Sequence, residues 1–202
     1  NSESKISHWT ADLTDKKSVQ NLLDNVCTEW GVIDGIVLNV GDGRSKPEPI
    51  TTADQWESVW DTNFNSALFT ARAFLPELFK SKGCIVFISS ICGIEALGAP
   101  TDYSVAKTAL ISLSKNIASK VGPDVRVNVI APGNIFFEGG TWDQKIKDGN
   151  EKVKKMLSEQ VPLKRFGKPE EIADAVVFLC SKRSAFTTGA CLVVDGGQTN
   201  SF

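Results

Sequence analysis

Two apolar, β-branched runs constrain this chain more than anything else in it: Val32 to Val40 (V-I-D-G-I-V-L-N-V) and Cys84 to Ile88 (C-I-V-F-I). Both are apolar at consecutive positions as well as alternate ones. That is the pattern of a strand covered on both faces, the condition of a parallel sheet. Arg126 to Ala131 and Ala190 to Val194 also read as strands. Between these runs apolar residues recur at helical spacing. The positions are Val19, Leu22, Leu23, Val26 and Trp30; Trp56, Trp60, Phe64, Leu68 and Ala71; and Ala173 to Leu179. Strand and helix in alternation predict an α/β fold, a doubly wound parallel sheet in three α/β/α layers, with its ligand at the carboxyl ends of the strands. One more strand is expected at Ile6 to Ala11.

Local signals place the element ends. Thr14 or Asp15 caps the first helix and Gly31 closes it. Thr51 or Thr52 caps a long helical region that reaches about Lys80, and Pro169 with Glu170 and Glu171 opens a late helix. Pro123-Asp124 marks a turn. Glu138 to Gln160 is polar, with Gly139, Gly140 and Trp142, and is expected to form a lid (138–160) with apolar lining from Phe136, Phe137 and Trp142.

Composition narrows the function class. A chain of 202 residues with 42% hydrophobic content supports one sizeable core. A net charge of −2 without any Lys/Arg cluster argues against a nucleic-acid partner, and no apolar run is long enough to span a membrane. Five cysteines, an odd number with no C-x-x-C pair, read as buried free thiols in a reducing, cytoplasmic compartment.

Chemistry concentrates between Cys84 and Ile111. The apolar run ends in Ser89-Ser90, a Gly/Pro-punctuated loop follows, and the next helix carries Tyr103, the only tyrosine, and Lys107. Positions i and i+4 share a helix face, so phenol and ammonium can converge. A phenol titrates near pH ~10, and a cation beside it is expected to pull that value toward neutrality. Ser90 can bring a hydroxyl to the same point. Together these groups could move a proton on or off a carbonyl or alcohol oxygen.

Ser90 thirteen residues before Tyr103, Tyr103-x-x-x-Lys107, Asn39-Val40-Gly41 after one strand and Pro132-Gly133 after another together resemble the short-chain dehydrogenase/reductase family, from about His8 to the C-terminus. The resemblance implies an NAD- or NADP-dependent oxidoreductase interconverting a secondary alcohol and a ketone, of 3-oxoacyl reductase type or related, with a small-molecule substrate. It implies catalytic roles for Asn63, Ser90, Tyr103 and Lys107, with Asn63 supporting a water bound to Lys107. It implies cofactor contacts from Asp12, Leu13, Asn39, Val40, Gly41, Tyr103, Lys107, Pro132, Gly133 and Ile135, and pairing into a homotetramer or homodimer. Phe137 stands where the family usually has a threonine that bonds the cofactor amide.

Members of the family begin with a strand and a Gly-rich phosphate turn, and the present chain has no such turn. The expectation is therefore one Rossmann-like domain over 1–202 that lacks its first βαβ segment. NAD and NADP cannot be told apart from this sequence. A non-catalytic relative on the same fold is the alternative reading. A dehydratase or epimerase of the extended branch is disfavoured by the short end at Asp195-Gly196-Gly197.

Overall fold

A computed structural model describes residues 5–149 and 151–201. Asp15 caps the first helix, α1 (Lys16–Trp30), its carboxylate accepting from the Lys17 and Ser18 amides. Gly31 ends α1 at φ 73°, a conformation that costs glycine little. Strand β1 (Gly35–Leu38) leads through a loop to α2 (Ala53–Trp60), capped by Thr52. A π-helical turn, Asp61–Asn65, joins α2 to α3 (Ser66–Ser81). Strand β2 (Cys84–Ile88) is followed by a short 3₁₀ turn and then α4 (Thr101–Val121). After strand β3 (Arg126–Pro132) come α5 (Thr141–Lys147), α6 (Glu151–Gln160), α7 (Pro169–Cys180) and strand β4 (Cys191–Val194).

The four strands form one parallel sheet in the order β1-β2-β3-β4. Successive residues of β2 point to opposite faces, and each face has its own core. Ile85 and Phe87 pack with Leu23 of α1, Phe74 and Leu78 of α3 and Leu110 of α4. Val86 and Ile88 pack with Ile130 and with Leu179 of α7. These are the three layers expected from the alternation of strand and helix.

Two expectations need correction. Residues 6–11 are not a strand. A strand needs a hydrogen-bonded neighbour, and this segment has none; Trp9 instead rests edge-on against Trp30, 5.8 Å between ring centroids. The run Val32 to Val40 is a strand only over Gly35–Leu38, and it is not covered on both faces. Among the described residues it pairs only with β2, and only Leu38 of its four residues is buried. The cysteines also depart from expectation. All five are free, but only Cys84 is buried, and Cys191 is exposed. Among the described residues, no helix is long and apolar enough to cross a membrane.

Candidate active site

The carboxyl ends of β1, β2 and β3 meet an open cavity of about 450 Å³. Ser90, Tyr103, Gly133 and Ile135 line it, with Gly43, Cys92, Asn134, Phe137, Trp142 and Gln198 among the others. Ser90 sits just past β2, and its hydroxyl accepts from the Cys92 amide at 3.2 Å, opening the 3₁₀ turn. The strand end is tied directly to α4. Ser89 Oγ donates to the Lys107 carbonyl at 2.7 Å, and Thr108 Oγ1 donates to the Gly93 carbonyl at 2.9 Å. A side chain at Gly93 would drive into the backbone of Lys107 and Thr108 (2.8–3.0 Å), so a glycine here lets the turn lie flat on the helix.

Lys107 is almost fully buried, 3% exposed, and its Nζ donates to the Ile88 carbonyl at 3.2 Å. An ammonium has three donors, so two remain for hydroxyl partners. Burial drives its pKa down to about 8. The ammonium lies 5.7 Å from the centroid of the Tyr103 ring.

The pKa of Tyr103 is a correction to the sequence reading. Lys107 was expected to lower it, yet burial pushes the phenol above its usual value, and the charges of Cys92 and Asp42 add in the same direction. The Ser90 hydroxyl alone pulls it down. Lys107 lies beside the ring, and its own charge is disfavoured by the same burial. Tyr103 is thus a protonated phenol at neutral pH, a donor rather than a ready base.

Asn63 sits inside the π-helical turn, fully buried. Its Nδ2 donates to the carbonyls of Asp42 and Val59 at 3.0 Å, and its Oδ1 accepts from the Asp42 amide at 3.0 Å. A π-bulge widens the helix and re-aims one side chain. Here that side chain grips the loop after β1. Gly41 is the consequence of that grip: a Cβ there would lie 2.7 Å from Lys107 Nζ and 2.8 Å from Asn63 Oδ1.

Asp102 is a residue the sequence reading missed. It precedes Tyr103 and is 1% exposed. Its carboxylate accepts from Ser45 Oγ (2.6 Å), Thr51 Oγ1 (3.0 Å) and the Tyr103 amide (2.8 Å). Asn63 and Asp102 therefore hold opposite ends of the loop 42–51, whose Gly43 faces the Tyr103 ring. An acidic residue in the first turn of the Tyr103 helix was the available signal. Its hydroxyl partners are more than fifty residues away in sequence and could not have been guessed.

The expected cofactor contacts divide into two places. Pro132 closes β3, and Gly133 and Ile135 lie on the cavity. Leu13, Asn39 and Val40 line a separate groove of about 230 Å³ along β1. Asp12 turns inward on itself, accepting from the Thr14 amide (2.9 Å) and hydroxyl (2.7 Å), which hold its carboxyl below the usual range. Of the expected lid aromatics, Phe137 and Trp142 reach the cavity, whereas Phe136 rests against Phe166, 6.0 Å between centroids.

Residues 2–199 match a family model described as enoyl-(acyl carrier protein) reductase. A 3-oxoacyl-[acyl-carrier-protein] reductase FabG of Chlamydia muridarum is 36% identical over 96% of this chain and 77% of its own length. A short-chain dehydrogenase/reductase SDRA of Arabidopsis thaliana is 33% identical over 89% of this chain and 69% of its own. The chain belongs to the short-chain dehydrogenase/reductase family. Among solved structures, ligand-free aldohexose dehydrogenase of Thermoplasma acidophilum superposes with a TM-score of 0.88 at 30% identity, covering 100% of this chain and 81% of the other. L-sorbose reductase of Gluconobacter frateurii, complexed with NADPH and L-sorbose, superposes with a TM-score of 0.87 at 29% identity, over 96% and 76%. As a short-chain dehydrogenase/reductase, this protein is an NAD(P)-dependent oxidoreductase acting on CH–OH groups and the corresponding ketones. The donor set fits that cofactor: Lys107 has two donors beyond its bond to Ile88 that suit ribose hydroxyls, and Gly41 lets the loop after β1 lie close to its ammonium.

Proposed function

We propose that Tyr103, Ser90 and Lys107 carry out the reaction, and that at neutral pH the protein works as a ketone reductase. The convergence of Ser90 and Tyr103 on one open cavity, above a buried Lys107, carries this reading. The bound nicotinamide supplies or accepts the hydride at the substrate carbon. In reduction the carbonyl carbon gains that hydride, and the oxygen gains a proton from Tyr103 Oη, so C=O becomes CH–OH. Ser90 Oγ donates a hydrogen bond to the same oxygen. Lys107 holds the ribose and returns a proton toward Tyr103. Asn63 acts through the loop it grips, keeping Gly41 against Lys107. Asn39, Val40, Gly41, Pro132, Gly133 and Ile135 border the cofactor, with Asp12 and Leu13 at its far end.

Because burial keeps Tyr103 protonated, reduction should be level from pH 6 to 8, while alcohol oxidation, which needs the phenolate, should rise across that range. Tyr103→Phe should lower turnover by ~10²–10⁴-fold and leave the circular-dichroism melt intact. The assay is a panel of ketones with NADH and with NADPH, and wild-type rates in Tyr103→Phe would end the proposal.

Residues 138–160 form the substrate lid in this reading, and the free thiols fit a reducing cytoplasm. Exposed apolar residues on α3 and α4 (Phe79, Val105) and on α7 (Val177, Phe178) support two faces of self-association and so a homotetramer. Light scattering that returned a monomer at micromolar concentration would remove that element.

A further inference from the structure

The cavity above Tyr103 has one feature that the hydride chemistry does not use. Of the side chains that line it, only Lys145 carries a full charge. The polar lining otherwise consists of hydroxyls and the amides of Asn134, Gln160 and Gln198, and the apolar wall includes Ile91, Leu97 and Met156.

Lys145 is exposed at the cavity's rim, and its ammonium has an aromatic neighbour. Its ammonium stands 4.5 Å from the centroid of the Trp142 ring, and Trp142 is itself backed by Phe166 at 5.4 Å. The aromatic pair therefore favours one position for the charge, beside the cavity. The carboxylates of its own helix and of the turn after it are occupied elsewhere. Asp143 accepts from Lys147 Nζ (2.7 Å) and the Gly139 amide (2.8 Å), and Asp148 accepts from Gln144 Nε2 (3.0 Å). Among the described residues no carboxylate pairs with Lys145.

A positive charge on a concave, partly apolar wall raises the local concentration of anions and stabilises one that binds beside it. A single ammonium matches a single negative charge. A phosphate dianion would leave charge unmatched, because no second cation lines the cavity. We infer that the substrate is an oxo acid, whose ketone lies at Ser90 and Tyr103 and whose free carboxylate is held by Lys145 on the lid. This inference rests on the reading of the site above, and it adds to it the substrate class.

The test pairs linear 3-oxo acids of increasing length with their methyl esters, assayed with wild-type protein and with Lys145→Gln, Lys145→Glu and Lys145→Arg. Wild type should favour the acid over the ester in kcat/KM by about fivefold. Lys145→Gln should bring the ratio near one, Lys145→Glu should invert it, and Lys145→Arg should preserve it. Calorimetric titration with the corresponding hydroxy acid and hydroxy ester gives the same comparison without turnover. Equal handling of acid and ester by wild type, or an acid preference that survives in Lys145→Gln, would overturn the inference. Loss of turnover for acids and esters alike would instead strike the reading of Ser90 and Tyr103, with the titration still deciding the carboxylate.

Discussion

Strands β1 and β2 are built from the same kind of residue and end up in opposite circumstances. Every residue of β2 is buried, whereas in β1 Val37 is 44% exposed, Ile36 is half-buried and only Leu38 is buried. Position in the sheet makes the difference. β2 is flanked by β1 and β3 and covered by α3 and α4 on one face and α7 on the other. Among the described residues β1 pairs only with β2. The two strands position the site differently as a result. The end of β2 is fixed by its own burial and by the Ser89 bond to α4. The end of β1 has no such packing and is held at a distance, by Asn63 from the π-helical turn and by Asp102 from α4. The two strand ends thus reach the cavity by different means: β2 through its own packing and the Ser89 bond, β1 through the side chains of Asn63 and Asp102.

Substitutions can break this contrast. The largest effect is expected inside β2: Ile85→Ala should cost about 2–5 kcal/mol in urea denaturation, the range for deleting a fully buried aliphatic chain. Lys107→Met comes next. The folded pKa of Lys107, about 8, lies below its unfolded value, so the native state gives up its proton first as pH rises. Wild-type stability should therefore gain between about pH 8 and 10.5, a contribution lost again as pH falls through 8. The whole swing is worth roughly 3 kcal/mol at most. Lys107→Met should lack this gain, and a matching pH profile in both proteins would contradict the burial argument.

Asp102→Ala should cost about 1–3 kcal/mol, because it leaves the buried Thr51 hydroxyl and the Tyr103 amide short of an acceptor. It should also raise hydrogen exchange in residues 43–51 more than in β2. Equal protection in both proteins would show that the loop does not depend on Asp102. At the small end, Val37→Ala, at a position 44% exposed, should move stability by about 0.5 kcal/mol or less. A loss comparable to that of Ile85→Ala would mean that β1 is covered in solution.

Much of the site was legible in the sequence. Ser90, Tyr103 and Lys107 lie within one strand–loop–helix unit, where short-range geometry alone brings them together. Gly133 and Ile135 were expected near the site through the resemblance of Pro132-Gly133 to the family's segment, and both line the cavity. Asp102 was not legible, since its role depends on Ser45 and Thr51 arriving from another element. The rise in the Tyr103 pKa was equally hidden. Spacing shows that Lys107 is near, but not that burial outweighs it.

The sequence by itself determined the alternation of strand and helix, the helix end at Gly31, cap sites narrowed to Thr14 or Asp15 and Thr51 or Thr52, and the pairing of phenol and ammonium on one helix face. These depend on backbone preference and on residues a turn or two apart. Tertiary structure alone decided how deeply each apolar run is buried, where the π-helical turn aims Asn63, and which titratable groups lost water. Burial is a property of what packs against a residue, and that partner is seldom its neighbour in the chain.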